Sequence, residues 1–374
     1  MTLEKNMAFD PVFKQLSDKL SVWESERFLE ILEATFTPLE AKICMELFEP
    51  ATCPELAERL GMDEKDLSKK LDVLVDKGML TRGLTQYAFH TTLLAFHHEC
   101  CADTAPHTGP YAMTQEQKDL WKDFFYNEWS YEFMKHIEQM IEMLGKNLPI
   151  SPSILALELS PNIRPEDILP EENFKLKIEN AKNRILAPCG CRISWGHECD
   201  KPLMTCFAAF DRPRGEYYLN QPGRLLKEVT LEEALEAARE AERAGLVHWG
   251  DCYCCDTCCE NLFPITRSKR YDLMTPNRFA AVVDEEKCIG CKKCERRCYF
   301  EAIEYKPTDD PKKVKAHVIP EKCKGCGLCI ITCKPNALRY EIVRPPEYLK
   351  PKPPEDGKDE EPPPFPVWGH YFLK

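Results

Sequence analysis

The sequence predicts a multidomain α+β chain, on three observations. Its 374 residues exceed one typical domain and suit two or three. The first hundred residues place apolar positions at helical spacing and end on short β-forming pieces. Of the 21 cysteines, 17 fall between Cys189 and Cys333, so the second half is built differently from the first. The hydrophobic share of 43% excludes wholesale disorder. The longest apolar runs fall short of the ~18 residues a membrane span needs. The start, MTLEKNMAFDPVFKQL, lacks the basic flank and apolar run of a secretory signal. A cytoplasmic protein without a membrane span is expected, with peripheral association left open. Disulfides do not persist in that compartment, so metal is the first explanation for the cysteines.

Residues 1–100 form the first expected domain. SDKLSVWESERFLEILEATF repeats apolar residues at helical spacing. Pro38 opens the next helix at the favoured first-turn position. TCPELAERLG is a helix capped by Thr52 or Cys53 and ended by Gly61. Asp63 caps a further helix that puts Leu67, Leu71, Leu74 and Val75 on one face, and TRGLTQYAFHTT reads as a hairpin around Gly83. Helix, helix, turn, helix and hairpin in this order resemble the winged helix-turn-helix superfamily. Residues 101–180 are an expected connecting region with an aromatic-rich helix from Thr114 to about Leu144, then the proline-punctuated stretch LPISPSILALELSPNIRPEDILP. In the next expected domain, 181–280, a strand at Arg184–Ala187 follows the helix in PEENFKLKIENAKNRIL. TLEEALEAAREAERAGLVHWG is a helix capped by Thr230 and Glu233 and stopped by Gly245. Residues 345–374 are an expected extended arm: nine of residues 345–366 are proline, and the chain ends VWGHYFLK. That aromatic end either folds back on its own body or docks on a partner.

The strongest signal lies in the remaining segment, 281–344. Cys288-x2-Cys291-x2-Cys294-x3-Cys298 is followed by Cys323-x2-Cys326-x2-Cys329-x3-Cys333. Three thiolates spaced by two residues wrap three corners of a [4Fe–4S] cube, and the fourth, expected at the start of a helix, reaches the other cube. Cys288, Cys291, Cys294 and Cys333 should hold one cluster. Cys323, Cys326, Cys329 and Cys298 should hold the other. Gly290, Gly325 and Gly327 let backbone amides approach the sulfides. The flanks repeat as well, VVDEEKCIGCKKC against VIPEKCKGCGLC. The segment closely resembles the bacterial two-cluster ferredoxins, over about 60 residues. It departs from them at Tyr299, where the family usually has proline, at Lys334, which separates Cys333 from Pro335, and in an insertion around KPTDDPKKVK. A pair of zinc sites would use two cysteine pairs per metal instead. Lys292, Lys293, Arg296 and Arg297 flank the first motif, either as a solvated basic face or as a landing place for an acidic partner.

Nine more cysteines precede this segment: Cys189, Cys191, Cys199 and Cys206, then Cys252, Cys254, Cys255, Cys258 and Cys259. Two clusters need eight thiolates. Cys252-x2-Cys255-x2-Cys258 repeats the ferredoxin spacing. Two interleaved clusters and one cluster per group both fit, and a zinc site or metal-free thiols are competing readings. Cysteines at this density would be oxidation-prone without metal. The combined pattern over roughly 150–344 resembles iron–sulfur proteins common in strict anaerobes, which implies electron transfer within a larger oxidoreductase system.

The expected function is therefore an electron-transfer subunit with two and up to four [4Fe–4S] clusters, serving other subunits such as a flavoprotein or a substrate-reducing enzyme. A redox-sensing transcriptional regulator and an enzyme with an open-site cluster are the alternatives. The net charge of −12 speaks against nucleic acid. Residues 1–100 hold 11 Lys/Arg and 18 Asp/Glu, and the helix over 63–77 lacks arginine for guanine contacts. His97, His98, Cys100, Cys101 and His107 form a loose group, His197 lies inside the first cysteine group, and Cys44 and Cys53 look like packing thiols. No nucleotide fingerprint or nucleophilic triad is evident.

Overall fold

The computed structural model describes residues 9–20, 23–83, 85–89, 93–98, 110–144, 162–181, 183–194, 199–210, 226–249, 252–274, 276–310 and 312–348. Cys100, Cys101, His107, His197, residues 145–161 and the proline-rich arm beyond Tyr348 lie outside these residues; the side chain of His98 is likewise outside.

In the N-terminal part, local signals set the helix boundaries. Helix α1 (Pro11–Lys19) is capped by Asp10, and α2 (Glu26–Thr35) by Ser25. Helices α3 (Pro38–Met45) and α4 (Cys53–Leu60) each start with a complete capping box, Thr37 with Glu40 and Thr52 with Glu55. Gly61, at φ 63°, stops α4 in the left-handed region. Asp63 caps α5 (Glu64–Asp76). Strands β1 (Ala51–Thr52), β2 (Thr81–Arg82) and β3 (Gln86–Ala88) form an antiparallel sheet in the order β1-β3-β2, with Ala51 opposite Tyr87. Leu16, Phe28, Leu32, Leu56, Leu67, Leu71 and Leu74 are buried in the core between these helices.

A short helix, α6 (Leu93–His98), leads on to α7 (Gln115–Phe124), a π-helical turn (Phe125–Trp129) and α8 (Ser130–Leu144). The expected single helix is thus continuous but locally widened. Trp121, Phe125, Trp129 and Phe133 are spaced by four residues and all buried. At about 100° per residue such a series drifts around an α-helix; a π turn takes up the drift and keeps the aromatic row facing inward. Trp129 of that row stacks on Trp23 and Trp121 packs at a tilt on Phe28, and Trp23 Nε1 donates to Glu128 Oε1 at 2.6 Å.

The middle of the chain is an antiparallel sheet. Its strands are β4 (Asn183–Pro188), β5 (Met204–Phe210), β6 (Lys227–Glu228), β7 (Val247–Trp249) and β8 (Cys252–Cys254), ordered β6-β4-β5-β8-β7. Three helices belong to this part: α9 (Phe174–Asn180), α10 (Gly190–Ser194) and α11 (Leu231–Ala244). The Thr230–Glu233 box starts α11, Gly245 ends it, and Ala234, Ala238 and Ala241 form its buried stripe. Then α12 (Leu262–Ser268) turns toward α8, with Trp129 Nε1 donating to the Glu260 carbonyl at 2.7 Å.

The last part is a pseudo-twofold unit. Strand β9 (Phe279–Val283) pairs with β12 (Leu338–Ile342), and β10 (Ile303–Pro307) pairs with β11 (Val314–Val318). The Asp284 amide donates to the Ala337 carbonyl at 2.7 Å, and the Ile319 amide to that of Ala302 at 2.8 Å. Arg278 and Glu172 form a buried ion pair at 2.7 Å that ties the connecting region to β9.

Candidate metal centres

The two cysteine motifs are superimposable in backbone conformation as well as in sequence. Gly290 and Gly325 have φ of 65° and 74°, Lys292 and Gly327 have 59° and 75°, and Glu301 and Asn336 have 50° and 52°. Left-handed residues two and four places after the first cysteine curl each loop inward. The third pair lies three residues after the fourth cysteine of each motif. A Cβ at Gly290 would stand 2.3 Å from the Val314 carbonyl oxygen, so a side chain is barred there.

One expectation is corrected here. Cys298 and Cys333 do not start helices: they follow the turns Glu295–Arg297 and α13 (Leu328–Ile331). The three-residue spacer is itself one helical turn, and the fourth cysteine leaves its end. Its sulfur then accepts the amide four residues on, from Ala302 to Cys298 and from Ala337 to Cys333, both at 3.3 Å.

Two cavities result. One is lined by Cys288, Cys291, Cys294 and Cys333. The other is lined by Cys298, Cys323, Cys326 and Cys329. Each takes three cysteines from one motif and one from the other. Further donors face the first cavity's sulfurs: the Ala316 amide reaches Cys288 Sγ at 3.4 Å and Tyr305 Oη lies 3.2 Å from Cys294 Sγ. Burial pushes the Cys326 and Cys329 thiols up. The polypeptide alone therefore disfavours thiolates there, and a bound cation is what makes such a sulfur ionise.

The nine upstream cysteines are drawn into one knot by β5, β8, α10 and the turn before α12. Cys191 lies beside Cys189 and Cys259, and Cys254 lies beside Cys259. The sulfurs of Cys199, Cys255 and Cys258 lie within 4.8 Å of one another. Cys206 and Cys252, opposite each other on β5 and β8, have sulfurs 3.3 Å apart. Arg192 lies among them, 1% exposed. Its guanidinium donates to Thr205 Oγ1 and, at 3.1 Å, to the Tyr253 carbonyl, while its buried Nε–H has no partner among the described residues. Cys189, Cys255, Cys199 and Cys254 all interact electrostatically with it. A buried guanidinium with an unsatisfied donor among thiols suits a bound group rich in sulfur and negative charge, which an iron–sulfur cluster is.

Sequence reasoning missed the bracket behind this knot. His97, fully buried, pairs through Nδ1 with Glu260 Oε2 at 2.6 Å and through Nε2 with Ser194 Oγ at 3.1 Å. Ser194 donates to the Cys191 carbonyl. All three side chains are in the core, so they hold the cysteine loops and meet no solute. Only the position of Ser194 and Glu260 beside cysteines hinted at it. Arg297, expected on a basic surface, instead donates to the Glu242 and Arg243 carbonyls at the end of α11. Cys44 is fully buried among the helices and Cys53 half-buried, and neither faces the knot or the cavities.

Comparison with known proteins agrees with the first two cavities. A family model described as a 4Fe–4S dicluster domain matches residues 281–339. No curated protein and no solved structure matches the chain. The chain thus contains a 4Fe–4S dicluster domain, and with it the cysteine equipment of an iron–sulfur electron carrier.

Proposed function

We propose that this protein relays single electrons through several [4Fe–4S] clusters between partner oxidoreductase subunits, such as a flavoprotein and a substrate-reducing enzyme, in an anaerobic cytoplasm. The observation that carries this reading is the pair of cavities inside the matched domain, each lined by four cysteines in a three-plus-one pattern. Cys288, Cys291, Cys294 and Cys333 are proposed as ligands of one cluster, and Cys323, Cys326, Cys329 and Cys298 as ligands of the other. The upstream knot is proposed to hold more clusters, up to four in total. A cluster supplies one-electron redox chemistry at a thiolate cage. The chain's residues hold the sulfurs at fixed positions and donate amide hydrogens to them from Ala302, Ala316 and Ala337.

The N-terminal part is proposed as a winged-helix domain that docks protein. Asp63, Glu64, Asp66 and Asp72 on α5 are exposed, where they would face the phosphates of a duplex with like charge. Among the described residues no helix is long and apolar enough to cross a membrane. The test is anaerobic reconstitution followed by iron and sulfide analysis and EPR. At four irons per cube, about sixteen irons are expected, about eight would confine the relay to the ferredoxin unit, and fewer than eight would overturn it.

A further inference from the structure

We propose that the upstream knot is two interleaved cluster sites, in which neighbouring cysteines of one turn serve different clusters. This rests on the reading that the knot binds iron–sulfur clusters and assigns its ligands. The first site is Cys189, Cys191, Cys254 and Cys259, linked by the contacts Cys189–Cys191, Cys191–Cys259 and Cys254–Cys259. The second gathers Cys199, Cys255 and Cys258, all within 4.8 Å. Cys206 and Cys252, whose sulfurs lie 3.3 Å apart, flank the two sites, and Cys252, two residues before Cys254 in β8, lies on that cysteine's side of the strand.

The backbone explains why adjacent cysteines part. Residues next to each other in extended chain point to opposite sides. Cys254 ends β8 and Cys255 is the first residue beyond it, so the two sulfurs diverge. The turn over 256–258 brings Cys258 back beside Cys255. Cys259 then faces the other way, its sulfur accepting the Leu262 amide at 3.3 Å. Both adjacent pairs, Cys254–Cys255 and Cys258–Cys259, are split in this manner. One cluster per sequence segment would instead need Cys189, Cys191, Cys199 and Cys206 to converge, yet their nearest thiol neighbours include Cys259, Cys255 and Cys252 from the other segment.

Arg192 serves both sites. It is pinned between Thr205 and the Tyr253 carbonyl, with thiols of both sets around it and one N–H unspent. A buried cation shared by two anionic clusters favours the reduced form of each.

The experiment compares variants of the full chain, reconstituted anaerobically, by iron content and by EPR during redox titration. Cys254→Ala and Cys255→Ala should each lose about four irons, one cube, and lose different signals. The Cys254→Ala spectrum should match that of Cys189→Ala, and Cys255→Ala that of Cys199→Ala. Arg192→Gln should keep its iron and shift both upstream midpoint potentials downward while the ferredoxin signals stay in place. The ferredoxin signals also report that each variant has folded; where they are lost, the Cys→Ser variant replaces it and must perturb the same signal. Loss of the same signal from Cys254→Ala and Cys255→Ala, or a common signal for Cys189→Ala and Cys199→Ala, would overturn the interleaving. Unmoved upstream potentials in Arg192→Gln would overturn the shared cation. A wild-type chain with about eight irons would instead show that the knot binds no cluster, which is a failure of the underlying reading and separable from both.

Discussion

A methyl group at position 325 would stand 1.8 Å from Asn277 Oδ1 and 2.4 Å from the Phe279 carbonyl oxygen. The residue also sits at φ 74°. Its carbonyl accepts from Asn277 Nδ2 at 2.9 Å, and Asn277 Oδ1 accepts the Phe279 amide, so the asparagine has nowhere to go. Gly325→Ala should therefore cost more than the ~1–2 kcal/mol of a left-handed backbone, and should strip the iron of the neighbouring cavity. Gly61→Ala is the control: φ is 63° there, but nothing lies within 4 Å of the added carbon. Thermal unfolding and iron analysis compare the two, and equal losses would refute the steric account. At this scale the sequence was informative about the eight ferredoxin cysteines and their glycines, because short-range spacing encodes them. It was silent on Asn277, which lies 48 residues before its partner. It was equally silent on His97 and Glu260, whose pairing needs the tertiary fold.

At the scale of elements, capping residues and glycine stops were legible because they act within a few residues. The π turn was not, since it answers to the surface the aromatic row must meet. The lock between α3 and the end of α5 also lies beyond local reading. Lys77 Nζ reaches Glu40 Oε1 at 2.5 Å, with both side chains largely buried. Burial works against the Glu40 carboxylate, but hydrogen bonds from Lys77 and the Thr37 amide outweigh it and hold the pKa below the usual 4.5. A depressed carboxyl pKa adds stability above the unfolded-state value and loses it as pH falls through the folded one. Glu40→Gln keeps a capping acceptor at this position but not the charge. It should be less stable than wild type by about 1 kcal/mol at pH 7. The gap should close below pH 4.5 in urea unfolding followed through Trp23 fluorescence. A gap independent of pH would exclude the ion pair as its source.

Over the whole molecule, stability divides by what fills each core. The N-terminal part buries Leu, Ile and Phe side chains, whereas the second half surrounds its centres with cysteines. Binding energy for metal is folding energy where the ligands are scattered in the unfolded chain. An anaerobic chelator should therefore speed amide exchange over 279–342, and over 185–260 if the knot holds metal as proposed, and leave 26–76 unchanged; uniform acceleration would contradict this division. The sequence showed that these parts exist, through its change of composition near Cys189. It did not show how they join, because the joints are single long-range contacts. Arg278 with Glu172 joins residues 106 apart, and Arg297 read as a surface charge.

The joint between the knot and the ferredoxin unit has one more consequence. Arg297 caps the last carbonyls of α11, and Tyr299 Oη donates to the Gly245 carbonyl at 2.6 Å. The arginine fills the space a side chain at 245 would need. Tyr299 is one of the residues that depart from the ferredoxin pattern, and this departure helps fasten the two halves. Electron tunnelling falls exponentially with the gap to be crossed. With clusters in both regions, as proposed, a gap set by these side-chain-to-carbonyl bonds leaves no diffusive search, and transfer across it should be indifferent to solvent viscosity.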